Sequence, residues 1–118
     1  LNEVTYASGI SKYVAVGQSG KIIFSSYGSS WDNATWDKTS TIYGIAYKSS
    51  TNYLNIVGYG NAAYSTNGST WTTVSSGTLY DTCLGGTTFL GVGSSGNIDY
   101  STNNGISGQI SLKTENLL

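Results

Sequence analysis

"YSTNGSTW", Tyr64 to Trp71, and "FSSYGSSW", Phe24 to Trp31, are one phrase written twice. Each has an aromatic residue, two small hydroxyl residues, a variable residue, Gly, two small residues and Trp. A third copy, "YSTNNGIS", Tyr100 to Ser107, opens the same way but has no Trp. Gly among small hydroxyl residues is turn chemistry. Gly accepts positive φ, and Ser or Thr oxygens bond nearby amides. A turn written three times predicts three copies of whatever it joins.

Working outward from the turn, three further runs recur. Before it stand "KIIFSS", "NAAYST" and "NIDYST". Before those, across the links "GQSG", "GYG" and "GSSG", stand "KYVAVG" (Lys12 to Gly17), "NYLNIVG" (Asn52 to Gly58) and "TTFLGVG" (Thr87 to Gly93). The units open with "LNEVTYAS", "TIYGIAYK" and "TLYDTCLG", so Leu1, Ile42 and Leu79 are equivalent, at spacings of 41 and 37 residues. After the turn come "WDNATWDKT", "WTTVSS" and the weaker "ISGQISLKT".

These runs are short, rich in β-branched and aromatic residues, and bounded by Gly, Ser or Asn. They read as strands, and none sustains a helical period. Four strands per unit and a period near 40 predict an all-β chain, a β-propeller of four-stranded antiparallel blades with three repeats. Blade 1 is expected over about 1–40, blade 2 over 41–77 and blade 3 over 78–116, with turn glycines Gly28, Gly68 and Gly105. "TENLL" aligns with "TSTIY" and "SGTLY", so a further repeat is expected to start at 117–118. One blade cannot bury both its faces, and propellers close with four to eight blades. The expectation is therefore a partial propeller, or a ring closed by self-association or by the remaining blades of a longer chain.

The repeat resembles the bacterial BNR or Asp-box family of sialidase-type propellers, here in a non-catalytic form. The resemblance rests on the turn and on the frame from Ala15 to Ser25, "AVGQSGKIIFS". It implies that Gly28, Trp31, Gly68 and Trp71 are structural. Asn67 and Tyr27 stand where the family usually has an acid. It also implies ligand binding on the face opposite the turn. Sialidases hold their substrate carboxylate with three arginines, and this chain has no Arg, so no catalytic residue carries over.

Composition excludes several functions. Charged residues are 9% and the net charge is -1, with lysines scattered at positions 12, 21, 38, 48 and 113. Nothing there would neutralise phosphates, so no nucleic-acid partner is expected. No apolar run approaches the roughly 20 residues of a membrane helix, so no membrane insertion is expected. With no His and one Cys, neither a zinc site nor a nucleophile–base pair is expected, and no metal or cofactor. Asp32, Asn33 and Asp37 lack calcium-loop spacing and read as solvated. Cys83 aligns with Thr5 and Ala46 and is expected to be small and buried on the inner strand. Trp36 has no counterpart, and both an exposed outer strand and an inter-blade gap suit it.

The candidate ligand surface lies at the links and the inner-strand starts: Gln18, Ser19, Tyr59, Ser94 and Ser95, with Tyr43, Tyr80 and Asp81. Tyr offers a flat apolar ring and a polar tip, suited to a glycan or protein ligand. Tyr43 and Tyr80 are equivalent by repeat, which also fits inter-blade core. Low charge and Ser/Thr/Asn richness lead to the expectation of a secreted or cell-surface, lectin-like binding module. The alternatives are a self-assembling propeller fragment, and a polysaccharide-acting enzyme with Glu3 and Asp81 as paired acids.

Overall fold

The computed structural model describes residues 1–104 and 110–113. Three antiparallel four-stranded sheets follow one another along the chain, each in sequential order. Blade 1 is β1 (Glu3–Ala7), β2 (Lys12–Val16), β3 (Ile22–Ser25) and β4 (Asp32–Asn33). Blade 2 is β5 (Ile42–Lys48), β6 (Tyr53–Gly58), β7 (Asn61–Ser65) and β8 (Thr72–Ser75). Blade 3 is β9 (Leu79–Gly85), β10 (Thr88–Gly93), β11 (Asn97–Ser101) and β12 (Ile110–Lys113). The first strands are innermost, and β5 lies between β1 and β9. Residues 105–109 and 114–118, which include Gly105 and the expected further repeat, lie outside the described residues.

Strand alternation gives each blade a leading face, toward the blade before it, and a trailing face, toward the blade after it. Val14 and Val16 on the trailing face of blade 1 meet Ile45, Leu54, Ile56 and Ala63 on the leading face of blade 2, with Trp71 in the same cluster. Leu54 and Val14 are fully buried, and Ile56 nearly so. Between blades 2 and 3 the apolar cluster is smaller, formed by Val57, Ala62 and Leu79, with Val74 against it. Asn55 stands where blade 1 has Val14, and its Oδ1 lies 3.3 Å from Thr82 Oγ1. Buried Lys48 donates from Nζ to the Thr87 carbonyl at 2.9 Å. One junction is therefore mostly hydrocarbon and the other partly polar. Local opening follows such differences. Amides of β6, covered by a blade on each side, are expected to exchange more slowly than those of β10. Equal protection in native-state hydrogen exchange would contradict this.

The opening phrase folds as one motif. Ser65 Oγ accepts from the amides of Asn67 (3.2 Å) and Gly68 (2.9 Å), and Ser25 Oγ accepts from those of Tyr27 and Gly28. The indoles of Trp71 and Trp31 each donate from Nε1 to the carbonyl of the turn glycine, Gly68 or Gly28, at 3.1 Å. In the third copy the expected glycine is displaced by one position. Ser101 Oγ accepts from the Asn103 amide, and Asn104, at φ 68°, stands where Gly28 and Gly68 stand. Asn tolerates the left-handed region, so Gly105 is not required for this turn.

The outer segment of blade 1 departs from expectation. Its strand is only two residues long, because the chain leaves the sheet and crosses to blade 2. Thr35 donates its amide to the Ser69 carbonyl at 2.7 Å, and its own carbonyl accepts from the Trp71 amide at 3.2 Å. Trp36 packs against the core and donates from Nε1 to Thr73 Oγ1 at 2.9 Å. The Thr73 hydroxyl donates in turn to exposed Asp37. Trp36 therefore bridges blades 1 and 2. The crossing also accounts for most of the unequal period: Trp31 to Ile42 is 11 positions, and Trp71 to Leu79 is 8.

Candidate functional site

The second and third inner strands start with the same irregularity. Ile42 pairs with Gly58 and Gly44 with Val57, leaving Tyr43 as an extra residue. Leu79 pairs with Gly93 and Asp81 with Val92, leaving Tyr80 as the extra residue. Asn2 holds this place in blade 1, where its amide bonds the Val16 carbonyl while Glu3 pairs with Val16. A β-bulge takes a side chain out of the alternation of its strand and re-aims it. Here the bulge residues reach from one blade to the next. Asn2 Nδ2 donates to the Ile42 carbonyl at 3.0 Å. The rings of Tyr43 and Tyr80 meet edge to face, with centroids 5.2 Å apart.

The bulges require the glycine that ends each second strand. A Cβ on Gly58 would collide with the Thr41 carbonyl oxygen and lie 2.9 Å from Ile42 Cα, and Gly93 stands in the same relation to Thr78 and Leu79. The "VG" ending shared by Gly17, Gly58 and Gly93 is the signal that could have revealed the bulges. With them it would have revealed Asn2, which sequence reasoning missed.

Tyr43 is half-buried and Tyr80 is 51% exposed, so this pair is a partly open step rather than closed inter-blade core. Tyr59, on the β6–β7 link, is exposed at the same end of the sheets. That link is held at both sides: the Tyr59 amide donates to the Thr41 carbonyl, and the Gly60 amide to Thr78 Oγ1 at 3.1 Å. It thus spans the gap between blades 2 and 3. Asp81 follows Tyr80, is exposed, and accepts from the Thr82 amide at 2.8 Å. Gln18 and Ser19 are exposed one blade away, on the β2–β3 link, where Ser19 has φ 58°. Ser94 and Ser95 form the matching link of blade 3, with Ser95 at φ 57°. The structure thus brings Tyr43 and Tyr80 into contact and sets Tyr59 and Asp81 at the same end, while Gln18 stands apart. The Ser–Gly–Trp turns lie at the opposite end, as the alternating strand directions require.

Glu3 and Asp81 stand on β1 and β9, on either side of β5, with Gly44 between them. Glu3 Oε1 accepts from the Val4 amide at 3.2 Å, so each acid is bonded to the amide of the residue after it. Cys83 is exposed, contrary to expectation. It lies on the trailing face of blade 3, which none of the blades described in this chain covers. Its equivalent Ala46 is buried because blade 3 packs on it.

Neither a family model nor a curated protein sequence matches the chain. Solved structures do. YCF48 bound to D1 peptide is similar with a TM-score of 0.75 at 17% identity, over 94% of this chain and 38% of that one. The WD40 β-propeller domain of Doa1 has a TM-score of 0.66 at 14% identity, over 87% of this chain and 37% of that one. The GH74 enzyme of Niastella koreensis has a TM-score of 0.63 at 28% identity, over 90% of this chain and 17% of that one. The chain spans less than two fifths of each of these proteins. It has the fold of three β-propeller blades.

Proposed function

We propose that the chain is a non-catalytic propeller binding module of the Asp-box type, acting in secreted or cell-surface form. Its ligand, a glycan or a protein segment, docks on the step formed by Tyr43 and Tyr80 beneath Tyr59. The observation that carries this reading is the pair of bulges. They aim two aromatic rings away from the sheet and leave one of them half open to solvent. A ring so placed presents an apolar face with a hydroxyl at its edge, which serves sugar stacking and peptide contact alike. That YCF48 is described with a bound peptide supports a protein ligand.

The test is binding to a glycan array and to cell-surface protein extracts, with the unaltered chain beside Tyr80→Ala and Tyr59→Ala. Tyr59 is largely exposed, so its loss is expected to change folding stability by no more than about 0.5 kcal/mol. Tyr80 also gives up its ring contact with Tyr43, at about 1 kcal/mol. Binding is expected to fall roughly tenfold or more in each variant, the loss of an aromatic anchor. Unchanged binding in both would remove the site. The likeness to the GH74 enzyme supports a second reading, with Glu3 and Asp81 as the acids of a polysaccharide-acting enzyme. Product release that vanishes in a Glu3→Gln, Asp81→Asn double variant would establish it. Release that persists in that variant would exclude these acids.

A further inference from the structure

The blades meet twice in this chain, and each time a trailing face covers a leading face. One face of each kind is left uncovered. On blade 1 the leading face carries Val4, Tyr6, Tyr13 and Ile23, the first three 54%, 47% and 39% exposed. Ladder pairing puts Val4 beside Ala15 and Ala15 beside Ile23, with Tyr6 beside Tyr13. The Tyr6 and Tyr13 rings touch, with centroids 4.7 Å apart. A groove over Ala15, walled by Leu1, Val4 and Trp31, runs along the same face. By repeat position these residues match Ile45, Tyr47, Leu54, Ile56 and Ala63, the face of blade 2 that blade 1 covers.

On blade 3 the trailing face carries Leu90 and Val92, 38% and 45% exposed. They are equivalent to Asn55 and Val57, and to Val14 and Val16, all of which are buried against the next blade. Cys83 is on this face too. Among the described residues, the one charged residue on these faces is Asp81, paired with Val92. Its equivalent Glu3 stays exposed on blade 1 although blade 2 covers that face, so docking need not bury the carboxylate.

We infer that these two faces are one docking interface, and that its occupant is a second copy of this chain. Blade 3 of one copy covers blade 1 of the other, head to tail. The contact continues an interface already made twice within the chain, with the same faces in the same order. Such a contact closes a ring when its rotations sum to a full turn. Two copies make it twice, giving six blades about a two-fold axis, within the range in which propellers close.

Cys83 is the built-in reporter. Covered as its equivalent Ala46 is covered, its thiol becomes unreactive; uncovered, it is open to any thiol reagent. The experiment measures native mass by light scattering and the rate of Cys83 modification by an aromatic disulfide, across a hundredfold dilution. The expected result is twice the 12.4 kDa chain mass at high concentration, with modification accelerating on dilution. Leu90→Asp and Tyr13→Asp each place a charge on one face at a position partly exposed in the single chain, away from the Asp81 carboxylate, and circular dichroism confirms that each variant is folded. Each variant alone is expected to be monomeric, with Cys83 freely reactive at every concentration. Mixed together they are expected to dimerise, because unaltered blade 1 of the first meets unaltered blade 3 of the second. Monomers of the unaltered chain with reactive Cys83 at every concentration would overturn the inference and leave the faces to blades supplied in cis. Dimers that survive both substitutions, or a mixture that stays monomeric, would overturn the head-to-tail interface.

Discussion

Trp71→Ala is expected to lower the free energy of unfolding by about 3–5 kcal/mol, the range for deleting a buried large aromatic. Trp71 is 8% exposed and belongs to the hydrocarbon cluster that joins blades 1 and 2. Its indole also closes the turn through Gly68, and its backbone amide holds the crossing segment at Thr35. Substitution therefore opens a cavity where two sheets and a crossing chain converge. Trp31 occupies the same position in its own motif and makes the same 3.1 Å bond, yet it is 36% exposed because neither of the other two described blades covers that side of blade 1. Trp31→Ala is expected to cost about 2 kcal/mol, one hydrogen bond together with a partly buried ring that no blade junction encloses. Urea unfolding of the two variants checks the contrast. Equal losses would mean that the turn, and not the blade junction, sets the value of the Trp.

Gly58→Ala is the second large effect. The added methyl meets the Thr41 carbonyl oxygen and the Ile42 Cα, backbone atoms that no side-chain rotation can move. Relief requires undoing the bulge at Tyr43. That shifts β5 by one residue against β6 and turns its buried side to the other face. A loss of about 3 kcal/mol is expected, the upper range for forcing a methyl into a closed site. Gly28→Ala is the control. Gly28 has φ 83°, but a methyl added there would meet nothing within 4 Å. Only the left-handed backbone opposes it, at about 1–2 kcal/mol. Thermal midpoints of the two variants decide the matter. A Gly58→Ala protein as stable as the Gly28→Ala protein would mean that the bulge is dispensable.

The blades were legible because their signals are local and repeated. Short runs rich in β-branched and aromatic residues, such as "KYVAVG" and "NYLNIVG", with turn residues between them, give strand order without any knowledge of contacts. What stayed hidden depends on neighbours or on single-residue register. Cys83 aligns with buried Ala46, and alignment identifies its face correctly. Alignment cannot say whether another blade covers that face. In the third turn Gly105 is the conspicuous residue, whereas it is Asn104, the third residue after Ser101, that takes the left-handed backbone. The outer segment of blade 1 looks like a strand because Trp and Thr suit strands. Its pairing with Ser69 and Trp71 is a contact between repeats that no single repeat contains. Among the candidate site residues, equivalence marks Tyr43 and Tyr80 as a pair. The bulge that brings them out of the sheet is recorded only in the glycines opposite.

The bulge position separates what the fold demands from what it leaves free. Glycine opposite and an aliphatic neighbour recur in all three blades, while the bulge residue itself is Asn in one and Tyr in two. Asn2, Tyr43 and Tyr80 thus form a short row of interchangeable sites on a fixed frame, one per blade. Diversifying those three codons alone would change the side chains displayed along that row, while the glycines opposite keep one backbone.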